Sequence, residues 1–283
     1  MGNLTAFQFG EGSPKHAVIF IGGLGDGHLT VPYVQPLAQA LFDATEGEWT
    51  VVQGIISSSY TGWGLGLLAR DAKELGLLAK YLRQECGFEK LVLAGHLTGC
   101  QDTIEYLTKT DGLPELQGAI IQAPVSDQEA FTLSRTKEEA SAIIKEIEEE
   151  YISKGRSKDL LPQKYREMAF NVPISAYRFV SLYGTRGDDD FFSTYLTQED
   201  HKITFGKVNT PLLVLYCEND EFAPKTVDKQ ALIDTWKAST DSKYWSSLSR
   251  VVKGATHNVG DKSEPGAEKE VVSTIIEFIK TLT

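Results

Sequence analysis

The sequence predicts an α/β protein with a mostly parallel central sheet and helices on both faces. Short apolar runs of strand length alternate along the chain with longer segments whose apolar residues recur at helical spacing. This alternation is typical of parallel strands joined by crossover helices. The chain has 283 residues, which is enough for one large domain, and we expect a single domain over residues 1–283.

The predicted strands are short apolar runs bounded by Gly, Pro or polar residues. In chain order they are residues 16–21, 49–56, 91–94, 119–122, 212–217 and 249–253. Helical spacing of apolar residues predicts helices over residues 71–85, 101–109 and 268–280. Strands and helices therefore alternate over most of the chain.

The alternation breaks from about residue 126 to residue 205. Residues 137–154 are dominated by charge, which predicts a solvent-exposed helix, and residues 173–196 are rich in aromatic side chains. An insertion between two strands is where α/β folds of this kind carry a cap or lid over the pocket. We therefore expect an inserted helical cap over residues 126–205.

The composition argues against several classes of partner. A net charge of −11 disfavours nucleic acid and anionic membrane surfaces, and no apolar run approaches the roughly 20 residues of a membrane span. The N-terminus has neither the basic region nor the apolar core of a secretory signal. Cys86, Cys100 and Cys217 are odd in number and widely spaced, which favours reduced intracellular thiols. We expect a cytoplasmic protein that acts on a small molecule.

The most informative segment is residues 95–99, Gly-His-Leu-Thr-Gly, which joins a predicted strand to a predicted helix. The pattern matches G-x-S-x-G, the nucleophile elbow of α/β hydrolases, except that Leu97 stands where the attacking serine belongs. Gly95 and Gly99 are expected to be small because strand and helix approach closely at this turn. Leucine has no hydroxyl, so residue 97 cannot form an acyl-enzyme. The alternative interpretation is an ordinary strand-to-helix turn.

Two further members of a catalytic triad follow in the chain order nucleophile, acid, histidine. Asp220 comes just after the predicted strand 212–217, and His257 comes after the last predicted strand. We predict that His257 is the base and that Asp220 orients it. Glu218 and Glu221 are competing carboxylates for the second role.

The glycine-rich loop at residues 22–28 lacks both the Walker lysine and the G-x-G-x-x-G spacing, which argues against phosphate binding. In α/β hydrolases this loop supplies one backbone N–H of the oxyanion hole, and the residue after the nucleophile supplies the other. We predict Leu24, with Gly25 as the alternative, and Thr98 as these donors. The candidate substrate-binding residues are Gly25, His28, Tyr60, Trp63 and His96. The alternatives are a plain polar loop at His28 and a packed aromatic loop at Tyr60 and Trp63.

No metal or cofactor is expected. The run Asp188-Asp189-Asp190 has no nearby histidine or second acidic cluster, and we interpret it as a turn or a helix cap. Cys100 lies one residue beyond the elbow, where its side chain should point away from the direction of residue 97. It is therefore not predicted to replace the nucleophile.

The chain resembles a fungal α/β-hydrolase family of formerly unknown function that includes siderophore esterases of the fusarinine type. The matching segments are residues 19–24, 57–64, 67–82, 94–101, 122–127, 187–192 and 219–224. The resemblance implies a serine esterase that acts on hydroxamate siderophores or related products of secondary metabolism. It would place the acid at Asp220, the base at His257 and the nucleophile at position 97, where this chain has leucine.

Three hypotheses follow for the function. The first is an enzyme that uses His257 and the oxyanion hole for non-hydrolytic acid–base chemistry, namely isomerisation, elimination or cyclisation of a fungal metabolite. The second is a siderophore-type serine esterase inactivated by a Ser-to-Leu replacement at position 97. The third is a pseudoenzyme that binds a ligand without converting it.

Overall fold

The computed structural model describes residues 4–282, and within that range seven strands form one sheet in the order β1-β3-β2-β4-β5-β6-β7. The strands are β1 (Thr5–Gln8), β2 (His16–Ile21), β3 (Trp49–Ile55), β4 (Lys90–His96), β5 (Gly118–Gln122), β6 (Leu212–Cys217) and β7 (Arg250–Val252). All neighbouring strands pair in parallel except β1, which pairs antiparallel with β3 at one edge. The predicted α/β class with a mostly parallel sheet is therefore confirmed. The N-terminal segment considered above for a signal lies partly outside the described residues.

The helices cover both faces of this sheet. They are α1 (Val34–Ala44), α2 (Leu68–Gln84), α3 (Thr98–Thr108), α4 (Asp127–Phe131), α5 (Lys137–Ile147), α6 (Gln163–Arg166), α7 (Ala176–Tyr183), α8 (Gln198–Lys202), α9 (Lys229–Ser239) and α10 (Ala267–Lys280). One core cluster joins α1 and α10 to one face of the sheet, and two others join α2, α3 and α9 to the opposite face. The central strands β2, β4, β5 and β6 are accordingly buried almost throughout.

The segment between β5 and β6 carries α4 to α8. Its helices contribute most of a separate apolar cluster, to which Trp63 also belongs. The charged helix α5 begins with a capping box, in which Thr136 and Glu139 bond each other's backbone N–H groups. It continues into a wider helical turn at Glu148–Ile152, where all three glutamates are exposed. Within residues 4–282, no helix is both long and apolar enough to cross a bilayer.

Candidate active site

The turn between β4 and α3 has the geometry that its two glycines dictate. A Cβ added to Gly95 would lie 2.0 Å from the carbonyl oxygen of Gly99, and one added to Gly99 would lie 2.5 Å from that of Ile21. Strand and helix can approach this closely only if both positions are glycine. Leu97, between them, has φ 52° and ψ −120°, a left-handed backbone that costs a leucine about 1–3 kcal/mol.

The side chain of Leu97 packs against the first loop. Its Cβ, Cγ and Cδ2 atoms lie 2.4–2.6 Å from the point where a Cβ on Gly23 would stand. Only glycine at position 23 leaves room for this contact. Leu97 therefore fills the space between the elbow and the first loop.

Cys100 points away from this space. Its thiol lies 3.3 Å from the carbonyl oxygen of Gly95 and 3.2 Å from that of Gln122, beneath the elbow. Burial raises the pKa of this thiol well above its ordinary value. A buried, protonated thiol facing backbone carbonyls is not placed to attack a substrate.

Asp220 and His257 come together at the carboxyl end of the sheet, Asp220 just beyond β6 and His257 beyond β7. The Nδ1 atom of His257 lies 2.8 Å from Oδ2 of Asp220, and both side chains are buried. The competing carboxylates bind backbone instead: Glu221 accepts from the N–H of His257, and Glu218 accepts from that of Gly254. Asp220 is thus the carboxylate in contact with the imidazole.

The other ring nitrogen of His257, Nε2, is buried and has no hydrogen-bond partner among residues 4–282. Phe222 packs edge-on against the ring, with the centroids 4.7 Å apart. With Nδ1–H donating a hydrogen bond to the Asp220 carboxylate, Nε2 carries the lone pair and can accept a proton. The pair has the arrangement of a general base and its orienting acid.

A second histidine adjoins this pair. The rings of His96 and His257 have their centroids 4.9 Å apart. His96 Nδ1 lies 2.6 Å from Oε1 of Gln122, and its Nε2 lies 3.9 Å from Oδ2 of Asp26. Burial, followed by the neighbouring His257, lowers the pKa of His96 to about 4. Neither Gln122 nor Asp26 carries a sequence signal for such a role, since both depend on contacts between distant segments.

The predicted oxyanion donors flank Leu97. Among the described residues, no group accepts a hydrogen bond from the backbone N–H of Leu24 or Thr98. Thr98 opens α3, where the first N–H groups have no partner within the helix. The N–H of Gly23, in contrast, already donates to Oδ2 of Asp26 at 2.8 Å. Leu24 and Thr98 therefore remain available to a ligand.

The other predicted binding residues separate into two groups. His28 stacks on Phe7 of the edge strand, with the ring centroids 4.0 Å apart, and contacts Gln53. Tyr60 is half exposed, and its hydroxyl accepts from the N–H of His28. Gly25 is exposed with φ +82°. The structure brings these residues together beside the first loop, without contact to His257.

Trp63 is buried and lines a cavity of about 10 Å³ behind the first loop, with room for about one water molecule. Gly22, Gly23 and Thr98 line it from the elbow side, and Ser58, Asp71, Asp102 and Arg178 line its polar wall. Burial raises the pKa of Asp71 to about 6, and it raises that of Asp102 well above its ordinary value.

Arg178, on α7, is the buried cation of this region. Its guanidinium makes two hydrogen bonds to Asp189, at 2.7 and 2.6 Å, and its Nε donates to the carbonyl of Trp63. Asp189 thus forms a buried ion pair, which the interpretation of residues 188–190 as a turn or cap did not anticipate. No group of three or more His, Cys, Asp or Glu side chains within residues 4–282 is arranged to hold a metal ion.

Comparisons with known proteins show the family of this chain. The family model described as "Protein of unknown function (DUF1749)" matches residues 2–280. A UPF0613 protein of Schizosaccharomyces pombe is 40% identical, over 94% of this chain and 88% of its own. The fusarinine C esterase of Aspergillus fumigatus is 29% identical, over 99% and 93%.

Solved structures match over the full chain. The siderophore hydrolase EstB from Aspergillus fumigatus superposes with a TM-score of 0.83 at 30% identity, covering 100% of this chain and 96% of its own. A monoacylglycerol lipase of Paleococcus ferrophilus has a TM-score of 0.64 at 16% identity and supports the α/β-hydrolase fold alone. The chain therefore belongs to the DUF1749 family and has the α/β-hydrolase fold.

Proposed function

We propose that this chain carries the site of a siderophore-type esterase that lacks its attacking hydroxyl at position 97. The observation that carries the proposal is the intact pair of Asp220 and His257, whose Nε2 is buried and unpartnered. The elbow beside it keeps the strained backbone of a nucleophile position. Relatives described as a fusarinine C esterase and a siderophore hydrolase support a hydroxamate-type ester as the substrate class.

In this proposal His257 is placed to take the proton of a serine hydroxyl if serine stood at position 97, and Asp220 holds its imidazole in place. The N–H groups of Leu24 and Thr98 stabilise the oxyanion. The insertion at residues 126–205 covers the pocket as a cap, and Trp63 forms part of the pocket wall. With Leu97 in place the acyl-enzyme step is closed. The proposed location is cytoplasmic, and the proposed ligand is a small ester rather than nucleic acid or a membrane.

The test compares the chain with its Leu97→Ser variant, using 4-nitrophenyl butyrate, a hydroxamate siderophore ester and a fluorophosphonate label. We expect the variant to hydrolyse and to label at residue 97, and the parent to do neither. Leu97→Ala is the matched control, because it removes the bulk without adding a hydroxyl. A folded Leu97→Ser variant that stays inert toward all three reagents would refute the proposal.

A second candidate is non-hydrolytic acid–base chemistry. It is favoured by the contact of Leu97 with Gly23, which fills the position of an acyl-enzyme while leaving His257 free to act. His257 would remove a proton next to a carbonyl, and the Leu24 and Thr98 amides would stabilise the resulting enolate. The parent chain would then exchange that proton for deuterium, and His257→Gln would not. A binding role alone would leave ligand affinity intact in His257→Gln.

A further inference from the structure

Gln122, the last residue of β5, links several parts of the site. Its Oε1 lies 3.1 Å from the hydroxyl of Tyr33 and 2.6 Å from Nδ1 of His96. Its Nε2 donates to the backbone carbonyl of His257 at 3.1 Å and to the Cys217 sulfur at 3.0 Å. The side chain is buried, with 1% of its surface exposed. One amide therefore contacts both histidines of the site.

These contacts fix the proton on His96. The carbonyl of His257 can only accept, so the amide nitrogen of Gln122 must face it. The amide oxygen then faces Tyr33 and His96, and both must donate to it. Nδ1 of His96 consequently carries the hydrogen, and Nε2 of the neutral ring is a lone-pair acceptor.

The lone pair on Nε2 of His96 faces a second hydrogen-bond acceptor, the carboxylate of Asp26. His96 Nε2 lies 3.9 Å from Oδ2 of Asp26, too far for a hydrogen bond, and the neutral ring has no proton on that nitrogen to donate. The His96 side chain is 3% exposed, and its Nε2 forms no hydrogen bond within residues 4–282. Asp26 is held in place because it accepts from the N–H of Gly23 and from Thr30. A donor group beside the two atoms, within hydrogen-bond distance of each, could bond both through one bifurcated hydrogen.

We infer that His96 Nε2 and Asp26 Oδ2 form an acceptor pair that binds an O–H or N–H group of the substrate beside the reacting carbonyl, and that Gln122 positions this pair. The pair adjoins the reacting centre, since His96 precedes residue 97 and Asp26 binds the loop residue that contacts Leu97. The inference rests on the proposed function and specifies its substrate: an ester that carries a hydroxyl or N–H group near the scissile carbonyl.

The proton on His96 can be measured without activity. Long-range nitrogen-15 NMR of the parent chain should show a pyrrole-type signal for Nδ1 and a pyridine-type signal for Nε2, assigned by their loss in His96→Gln. In Gln122→Met this tautomer preference should be lost. In Gln39→Met, on the exposed face of α1, it should remain. A pyrrole-type Nε2 in the parent would overturn the inference.

Binding is tested on Leu97→Ala, which opens the pocket and cannot turn over. We expect N,N-dimethyl-2- or 3-hydroxybutyramide to shift the Nε2 signal of His96 and N,N-dimethylbutyramide, which has no O–H or N–H group, to leave it unchanged. Equal responses to hydroxylated and plain amides, or none, would mean that only water occupies the gap, and would overturn the inference.

Turnover is then tested on Leu97→Ser. We expect kcat/KM for 4-nitrophenyl 2- or 3-hydroxybutyrate to exceed that for 4-nitrophenyl butyrate at least tenfold, and the ratio to approach one in Leu97→Ser/His96→Leu. Equal rates on hydroxylated and plain esters would overturn the inference and leave the esterase proposal standing. If Leu97→Ser hydrolyses neither, the esterase proposal fails, and the amide binding experiment alone decides the inference.

Discussion

Leu97 occupies a backbone conformation that gives a leucine no folding advantage. Its positive φ costs about 1–3 kcal/mol, and the contact with Gly23 offsets part of that cost. The turn is imposed by its neighbours, because Gly95 and Gly99 bring strand and helix into contact. The elbow is therefore held by Gly95 and Gly99 rather than by the residue at position 97, and in the proposed function the side chain at position 97 decides whether acyl transfer is available.

The role of Asp220 is testable in the Leu97→Ser background. Asp220→Asn replaces an acceptor by a group that can also donate, so His257 loses the bond that keeps its proton on Nδ1. We expect kcat to fall by a factor on the order of 10³–10⁴. Glu218→Gln is the control, because that carboxylate contacts the N–H of Gly254 and not the imidazole. Equal effects of the two substitutions would contradict the assignment of Asp220.

At the scale of elements, the sequence predicted best the buried strands and the turn between β4 and α3. The bounds of β2 and β6 were predicted to the residue, and the elbow followed from the spacing of two glycines. The edge strand β1 was missed because its four residues are all exposed and form no buried apolar run. Helix α1 was also missed, although Val34, Leu37, Ala38 and Leu41 are buried at helical spacing.

Only part of the candidate site could be predicted from the sequence. Asp220 and His257 follow strands, so their position in the chain indicates their place at one edge of the sheet. Asp26 and Gln122 have partners up to 135 residues away, and Arg178 donates to the carbonyl of Trp63, 115 residues away. Such pairings arise from tertiary packing and leave no local pattern.

The elbow element yields a stability prediction. Gly95→Ala should lower the free energy of unfolding by more than about 2 kcal/mol, because the new Cβ would meet backbone rather than a movable side chain. Urea unfolding followed by circular dichroism measures this. Gly206→Ala is the control, since its Cβ would lie 3.4 Å from the nearest atom. A Gly95→Ala variant as stable as the control would show that strand and helix can separate without cost.

The insertion is held by Arg178 through a buried ion pair with Asp189. Arg178→Met should cost about 3–5 kcal/mol of unfolding free energy, because the buried carboxylate of Asp189 loses its counter-ion and retains, among the described residues, only the hydroxyl of Ser181 as a side-chain donor. Adding Asp189→Leu should restore most of the loss. Breaking the exposed pair of Arg156 and Asp159 by Arg156→Met should cost less than about 1 kcal/mol. Equal losses from the two arginine substitutions would contradict this account.

At the scale of the whole molecule, charge is distributed unevenly. The chain has a net charge of −11, and several carboxylates are buried near α3 and α7 instead of being exposed. Besides Asp71 and Asp102, Asp127 is buried there, and its pKa is raised to about 8, mainly by burial and then by Asp189. The folded protein therefore retains protons that the unfolded chain has released at neutral pH.

The pH dependence of stability follows from this proton uptake. A carboxyl whose pKa rises from 3.8 in the unfolded chain to about 8 on folding stabilises the fold fully below pH 4. That contribution is lost as the pH rises toward 8. Asp127→Asn, which keeps an acceptor for Gln101, should reduce the loss of unfolding free energy between pH 5 and 9 by more than about 1 kcal/mol.

Urea titrations at each pH measure this difference, with Asp234→Asn on the exposed face of α9 as the control. The control should reproduce the pH profile of the parent, because the side chain of Asp234 is exposed and does not belong to the buried group of carboxyls formed by Asp71, Asp102 and Asp127. If Asp127→Asn also followed the parent, the proton would reside on another carboxyl of the group. Asp102 would then be the next to replace, since burial and then the neighbouring Asp71 raise its pKa well above its ordinary value.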